Sequence, residues 1–139
     1  MSPGKIAYFA PLCALLVGAA PAYAAPVRET VTPQSSQVMP NLPGKSLVTV
    51  VVSYPPGAKS APHHHAGSAF IYAYVLEGEI RSQVDDAPPR VYRAGESWVE
   101  APGAHHKASE NASKTKPAKL LAVFVVDSDE KTLTTPDPQ

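Results

Sequence analysis

Short runs rich in Val, Ile, Tyr, Phe and Leu recur along the chain at residues 47–54, 70–76, 79–84, 91–93, 97–100 and 120–126, each bounded by Pro, Gly, Asp or Ser. Between them lie the turn signals Pro55-Pro56-Gly57, Glu77-Gly78, Asp85-Asp86, Ala94-Gly95 and Pro102-Gly103. Glycine there accepts backbone angles that other residues avoid, and proline fixes its own, so an extended chain can reverse. Beyond the leader, no window longer than ten residues keeps apolar positions three and four apart without a Pro or Gly, which leaves no place for a long amphipathic helix. The pattern predicts an all-β domain over residues 47–127, a sandwich or barrel.

The flanks read differently. Residues 25–46 hold Pro26, Pro33, Pro40, Pro43 and Gly44 among small polar residues, which predicts an extended lead-in with one short edge strand at 27–32. Residues 128–139, with Pro136 and Pro138, are expected to form a mobile tail. Residues 1–24 have the form of a secretory signal: Lys5, a largely apolar stretch over 6–20, and Ala22-Tyr23-Ala24 as a small-x-small cleavage pattern. Cleavage after Ala24 would deliver a periplasmic or secreted protein. Pro11 and Pro21 interrupt the apolar run, which is shorter than the roughly 20 residues a spanning helix needs, so no stable membrane anchor is expected after cleavage. Cys13 lies inside the apolar stretch behind Leu12, a poor setting for lipid attachment.

Without the leader the chain has no cysteine, which excludes a disulfide and thiolate chemistry. The full chain carries 12 basic and 12 acidic residues and a formal net charge of zero, so no basic footprint marks it for nucleic acid.

The five histidines fall in two places, His63-His64-His65 and His105-His106. In extended backbone His63 and His65 share one face and His64 takes the other. Two imidazoles on one face make a chelating pair, and a third donor from another strand would complete a site for zinc, copper, nickel or iron. Alternation lets only one of His105 and His106 join them. The plainer reading is that these are solvated histidines beside prolines, binding metal only adventitiously.

The segment from Gly57, through His63-x-His65, to Tyr74-Val75-Leu76-Glu77-Gly78 resembles the first motif of the cupin superfamily. Gly95, then Pro102-Gly103-Ala104-His105-His106 and Asn111, resembles the second, with 16 residues separating Gly78 from Gly95. The resemblance covers about half the chain. It implies a single cupin-type barrel, a double-stranded β-helix or jelly roll, and one divalent metal ion (Fe, Mn, Ni, Zn or Cu). The ligands it implies are His63, His65 and His106, the last standing three positions after Gly103, with His105 as the alternative. Six residues rather than five lie between Gly95 and Pro102, and Asn111 falls one place late. The glutamate of the first motif is missing, because counting back from Gly78 puts Ile71 in its place. Glu100 and Glu110 could replace it, but both are expected at strand edges or loops, facing water.

Ile71, Val75 and the apolar face of residues 47–52 would line a hydrophobic interior, with Phe70, Tyr72, Tyr74 and Trp98 as candidate walls or as ordinary packing. Three functions follow from these residues and the resemblance. The first is an exported metal-dependent cupin acting on a small organic molecule with dioxygenase-like chemistry. The second is a non-catalytic module that binds a small ligand or a metal. The third is a structural barrel with no physiological metal. A homodimer through edge strands is the assembly the resemblance implies.

Overall fold

The computed structural model describes Met1 and residues 25–138, so the proposed leader lies almost wholly outside the described residues. Ten strands follow one another: β1 (Thr30–Val38), β2 (Lys45–Tyr54), β3 (His63–His65), β4 (Phe70–Glu77), β5 (Glu79–Val84), β6 (Arg90–Arg93), β7 (Ser97–Glu100), β8 (His105–Asn111), β9 (Ala118–Asp127) and β10 (Thr134–Pro136). They build two five-stranded antiparallel sheets, β1-β2-β9-β4-β7 and β10-β3-β8-β5-β6, and no helix occurs among the described residues. The all-β expectation holds.

The inward face of the first sheet comes from alternation, strict in β9 and clear in β4 and β7. Along β9, Ala118, Leu120, Ala122, Phe124 and Val126 face inward and are buried, while the residues between them are only partly covered. Register then stacks inward side chains in rows across the sheet. Val48, Phe124, Ile71 and Glu100 make one row, and Val50, Ala122, Ala73 and Trp98 the next. Each fully buried Val, Leu, Ile or Phe in such rows contributes about 1.5–3 kcal/mol. The opposite face leaves Phe70, Tyr72, Leu76 and Val99 exposed.

The six apolar runs correspond to β2, β4, β5, β6, β7 and β9. β3, β8 and β10 escape the apolar pattern because polar residues and histidines fill them. β1 continues to Val38, well past residue 32, and absorbs Pro33 through a register irregularity between Pro33 and Ser35 on the sheet edge. The stretch expected to be mobile pairs as β10 with β3. Its ends are held by the Ala66 N–H donating to the Leu133 carbonyl (3.1 Å) and the Asp137 N–H donating to the Pro62 carbonyl (2.9 Å).

Gly78 closes the β4–β5 turn with φ +71°, and a Cβ there would lie 2.5 Å from the Pro117 carbonyl oxygen. Gly57 has the same φ with nothing within 4 Å. Gly78→Ala is expected to cost about 2–4 kcal/mol, since strain and collision add. Gly57→Ala is expected to cost about 1 kcal/mol, from the left-handed backbone alone. Urea unfolding of the two variants checks this, and equal losses would contradict it.

Candidate metal centre

β3 and β8 lie side by side with His63 directly opposite His106, so their side chains project from the same face of the sheet. His65, two residues along β3, projects with them. Ring centroids are 4.8 Å apart for His63 and His65, 5.3 Å for His63 and His106, and 5.9 Å for His65 and His106. One ring nitrogen of each lies within 4.8 Å of one from the others, a cluster that could hold a metal ion. His64 and His105 pair on the outward face, so of the two candidates on β8 the structure brings His106, not His105, to the cluster.

Glu100 approaches from the other sheet. Its carboxylate lies 2.9 Å from His65 Nε2 and 3.4 Å from His106 Nδ1, and Trp98 Nε1 donates to it at 3.0 Å. Only 2% of Glu100 is exposed, so the expectation that it faces water is corrected. The physical reason is alternation in Ser97–Glu100: Trp98 turns inward, and the residue two places on must follow. Glu100 is the direct cross-strand partner of Ile71, the position where the first motif lacks its carboxylate. Glu100 thus brings a carboxylate to the same face one strand away from that position. Glu110 stays on the outside, paired with Lys59 at 2.9 Å and with Arg81.

The hydrogen bonds around the cluster orient the rings. His63 Nδ1 contacts the Ala61 carbonyl at 2.8 Å, which places the proton on Nδ1 and leaves Nε2 as a lone-pair donor. His106 Nε2 contacts Ser82 Oγ at 2.9 Å and turns Nδ1 toward Glu100. Both ring nitrogens of His65 and Oε2 of Glu100 are buried without a hydrogen-bond partner among the described residues, because the 2.9 Å approach between them is poorly aligned. Such orphans cost free energy unless something satisfies them. Donors about 2.1 Å from one metal ion, in octahedral or tetrahedral arrangement, stand about 3.0–3.4 Å from each other. The three histidine nitrogens, within 4.8 Å of one another, fit a divalent ion, and the Glu100 contacts to His65 and His106 fall close to that range.

Burial pushes His106 down to about 4 against the pull of the Glu100 carboxylate, and burial also lowers His63 despite its bond to the Ala61 carbonyl. Burial alone would raise Glu100, but the His65 and His106 rings and the Trp98 N–H outweigh it and hold the carboxyl below its ordinary value. His63 and His106 are therefore kept neutral and the Glu100 carboxylate charged, the forms that ligate metal.

A cavity of about 530 Å³ opens above the cluster. Val50, Val52, Ala73, Ala122, Leu120 and Trp98 wall it, while Arg28, Glu29, Thr134 and Pro136 form its border. Ile71 lines the cavity as expected, whereas Phe70 and Tyr72 face solvent and Val75 is packed in the core. Ala73 and Ala122 are cross-strand partners whose small side chains leave the space. Burial raises the Tyr54 hydroxyl to about 12 and keeps it a neutral phenol in the wall, outweighing the opposite pull of its hydrogen bonds to Ser109 (2.7 Å) and Ser60 (2.8 Å). Ser82 and Glu29 were not singled out from the sequence, and neither lies in a motif that marks it. Glu29 Oε2 is buried at the cavity border with no hydrogen-bond partner among the described residues. Asn111 is a structural tie, its amide donating to the carbonyls of Tyr54 (3.3 Å), Pro55 (3.1 Å) and Lys116 (2.7 Å).

The comparisons with known proteins agree with this architecture. The family model described as a cupin domain matches residues 50–124, more than half of the chain. No curated protein matches the chain. Among solved structures, DMSP lyase DddQ from Ruegeria pomeroyi DSS-3 is 26% identical, with 67% of this chain and 45% of that one covered and a TM-score of 0.54. A recombinant oxalate oxidase in complex with glycolate is 24% identical, over 74% of this chain and 53% of that one, with a TM-score of 0.57. An RmlC-like cupin family protein with a double-stranded β-helix fold from Methanocaldococcus jannaschii is 12% identical, over 82% and 94%, with a TM-score of 0.57. This chain spans about half the length of the two enzymes. The matched family model, the two facing sheets and the inward histidine cluster carry one conclusion: the chain belongs to the cupin family.

Proposed function

We propose that the protein is a metal-dependent cupin that acts on a small organic molecule, with His63, His65, His106 and Glu100 holding one divalent first-row ion. The observation that carries this reading is the set of unpartnered donors, His65 and Glu100 Oε2, buried beside two more imidazoles at the base of a largely apolar cavity. When bound, such an ion supplies Lewis acidity and, for iron, manganese or copper, one-electron chemistry with dioxygen. The chain's own residues supply the rest. Trp98 and Ser82 hold Glu100 and His106 in place, and the apolar walls exclude water and favour an organic ligand. Glu29 offers a carboxylate at the border that can accept a proton from the ligand. We assign the reaction to the dioxygenase-like class and place the mature domain outside the cytoplasm, on the strength of residues 1–24.

A site with neither a carboxylate nor a base would favour the non-catalytic alternative. Glu100 and Glu29 supply groups of both kinds, which is why catalysis is preferred. Oxygen uptake by iron-loaded and manganese-loaded protein, offered phenols and thiols, is expected to exceed the metal-free control. Stoichiometric ligand uptake without product would identify a binding module instead.

Metal analysis of untagged protein tests the ligands themselves. His63→Ala with His65→Ala is expected to bind one ion fewer than the parent chain, and Glu100→Gln to bind that ion about 10–100-fold more weakly. Because Ile71 and Glu100 face each other across β4 and β7, the exchange Ile71→Glu with Glu100→Ile is expected to recover most of the affinity. Affinity in Glu100→Gln equal to that of the parent would remove Glu100 from the site.

Acid is expected to destabilise the metal-free protein before its surface carboxylates titrate. The folded chain holds His106 near 4 against an ordinary value of 6.5, so between those limits the unfolded chain binds more protons. Stability is then intact above about pH 6.5 and falls as the pH drops toward 4. Denaturant unfolding at several pH values measures the slope, and His106→Gln is expected to flatten it.

A further inference from the structure

The outward side of the same histidine run carries a second set of donors that the proposed function does not use. His64 and His105 are register partners on β3 and β8, and their rings stack with centroids 4.0 Å apart and planes 9° from parallel. β10 lies along the other edge of β3 and ends next to Asp137. The Asp137 carboxylate reaches both rings, with Oδ2 2.8 Å from His105 Nε2 and Oδ1 3.3 Å from His64 Nδ1. One donor atom from each of the three residues lies within 4.8 Å of the others. Asp137 Oδ1 is buried and has no hydrogen-bond partner among the described residues, although an imidazole nitrogen stands beside it. The backbone on either side is fixed, since the Asp137 N–H donates to the Pro62 carbonyl and the His105 N–H donates to Asp85 Oδ1, both at 2.9 Å.

We propose that His64, His105 and Asp137 form a second metal site, on the outer face, for a divalent transition ion such as zinc. Two imidazoles and one carboxylate select zinc, copper, nickel or cobalt over calcium or magnesium, which ask for more oxygen donors. Three protein donors leave the remaining positions to water, in keeping with a partly exposed setting. The site is separate from the inner centre because alternation sends His64 to the face opposite His63 and His65.

Occupancy would have a mechanical effect. β10 has three exposed residues, and a bound ion would join its end to β3 and β8. Leu133, Thr134 and Pro136 line the inner cavity, so an ion outside would hold one wall of the ligand chamber inside. A simpler latch, in which Asp137 only accepts hydrogen bonds from the two rings, would also tie the tail down. The two differ in whether the tie depends on a metal.

Zinc is the probe, and untagged full-length protein is the sample. The His64→Ala/His105→Ala variant is expected to bind one zinc fewer than the parent chain, whereas His63→Ala/His65→Ala keeps the outer ion. Zinc is also expected to slow proteolysis within residues 128–138 in the parent and in the His63/His65 variant, and to have no such effect in the His64/His105 variant. Equal zinc content in parent and His64/His105 variant, or equal protection by zinc, would overturn the site and leave the latch. If the alanine pair fails to fold by circular dichroism, His64→Gln/His105→Gln carries the same expectations.

Discussion

A slip of one residue between β3 and β8 would turn His63 and His65 to solvent and bring His64 inward, because side chains alternate along each strand. β3 is three residues long and pairs with β8 at two positions, so the ladder alone is a weak guarantee of register. The neighbouring turn fixes it: the His65 N–H donates to the Ala104 carbonyl at 3.0 Å, and the Gly103 N–H to the Ala66 carbonyl at 3.1 Å. Further along, the pairing of β8 with β5 shifts between Gln83 and Val84, and this irregularity allows His106, Ser109 and Asn111 all to be buried. The imidazoles, the Tyr54 contact and the Asn111 ties all depend on that one arrangement of β8.

The architecture was legible in the sequence wherever apolar residues alternate, because a half-buried strand and its pattern are the same fact. It was not legible where polar residues face inward for a reason other than packing, as in β3 and β8, or where a strand is held only by its neighbour, as in β10. The histidines could be sorted by parity alone, which separates His63 and His65 from His64. Choosing His106 over His105 needed either the family spacing or the register with β3.

Glu100 shows how the reading failed and how it could have succeeded. Judged by residue type, a glutamate in a four-residue strand belongs in water. Judged by its neighbour, it had to share the face of Trp98. The family motif drew attention along β4, where Ile71 stands, and register is a relation between strands that no single segment contains. The carboxylate was visible in the sequence, but its distance from the histidines was not.

The histidine run is contiguous, and that has a consequence for energetics. His63, His64 and His65 need no folding to be close together, so a metal ion can be captured by the unfolded chain as well as by the finished barrel. Ligand-linked stabilisation depends on the difference between those two affinities. Metal would therefore raise the melting temperature by less than its native affinity suggests, and the surplus would have to come from His106 and Glu100, which only the closed sheets deliver.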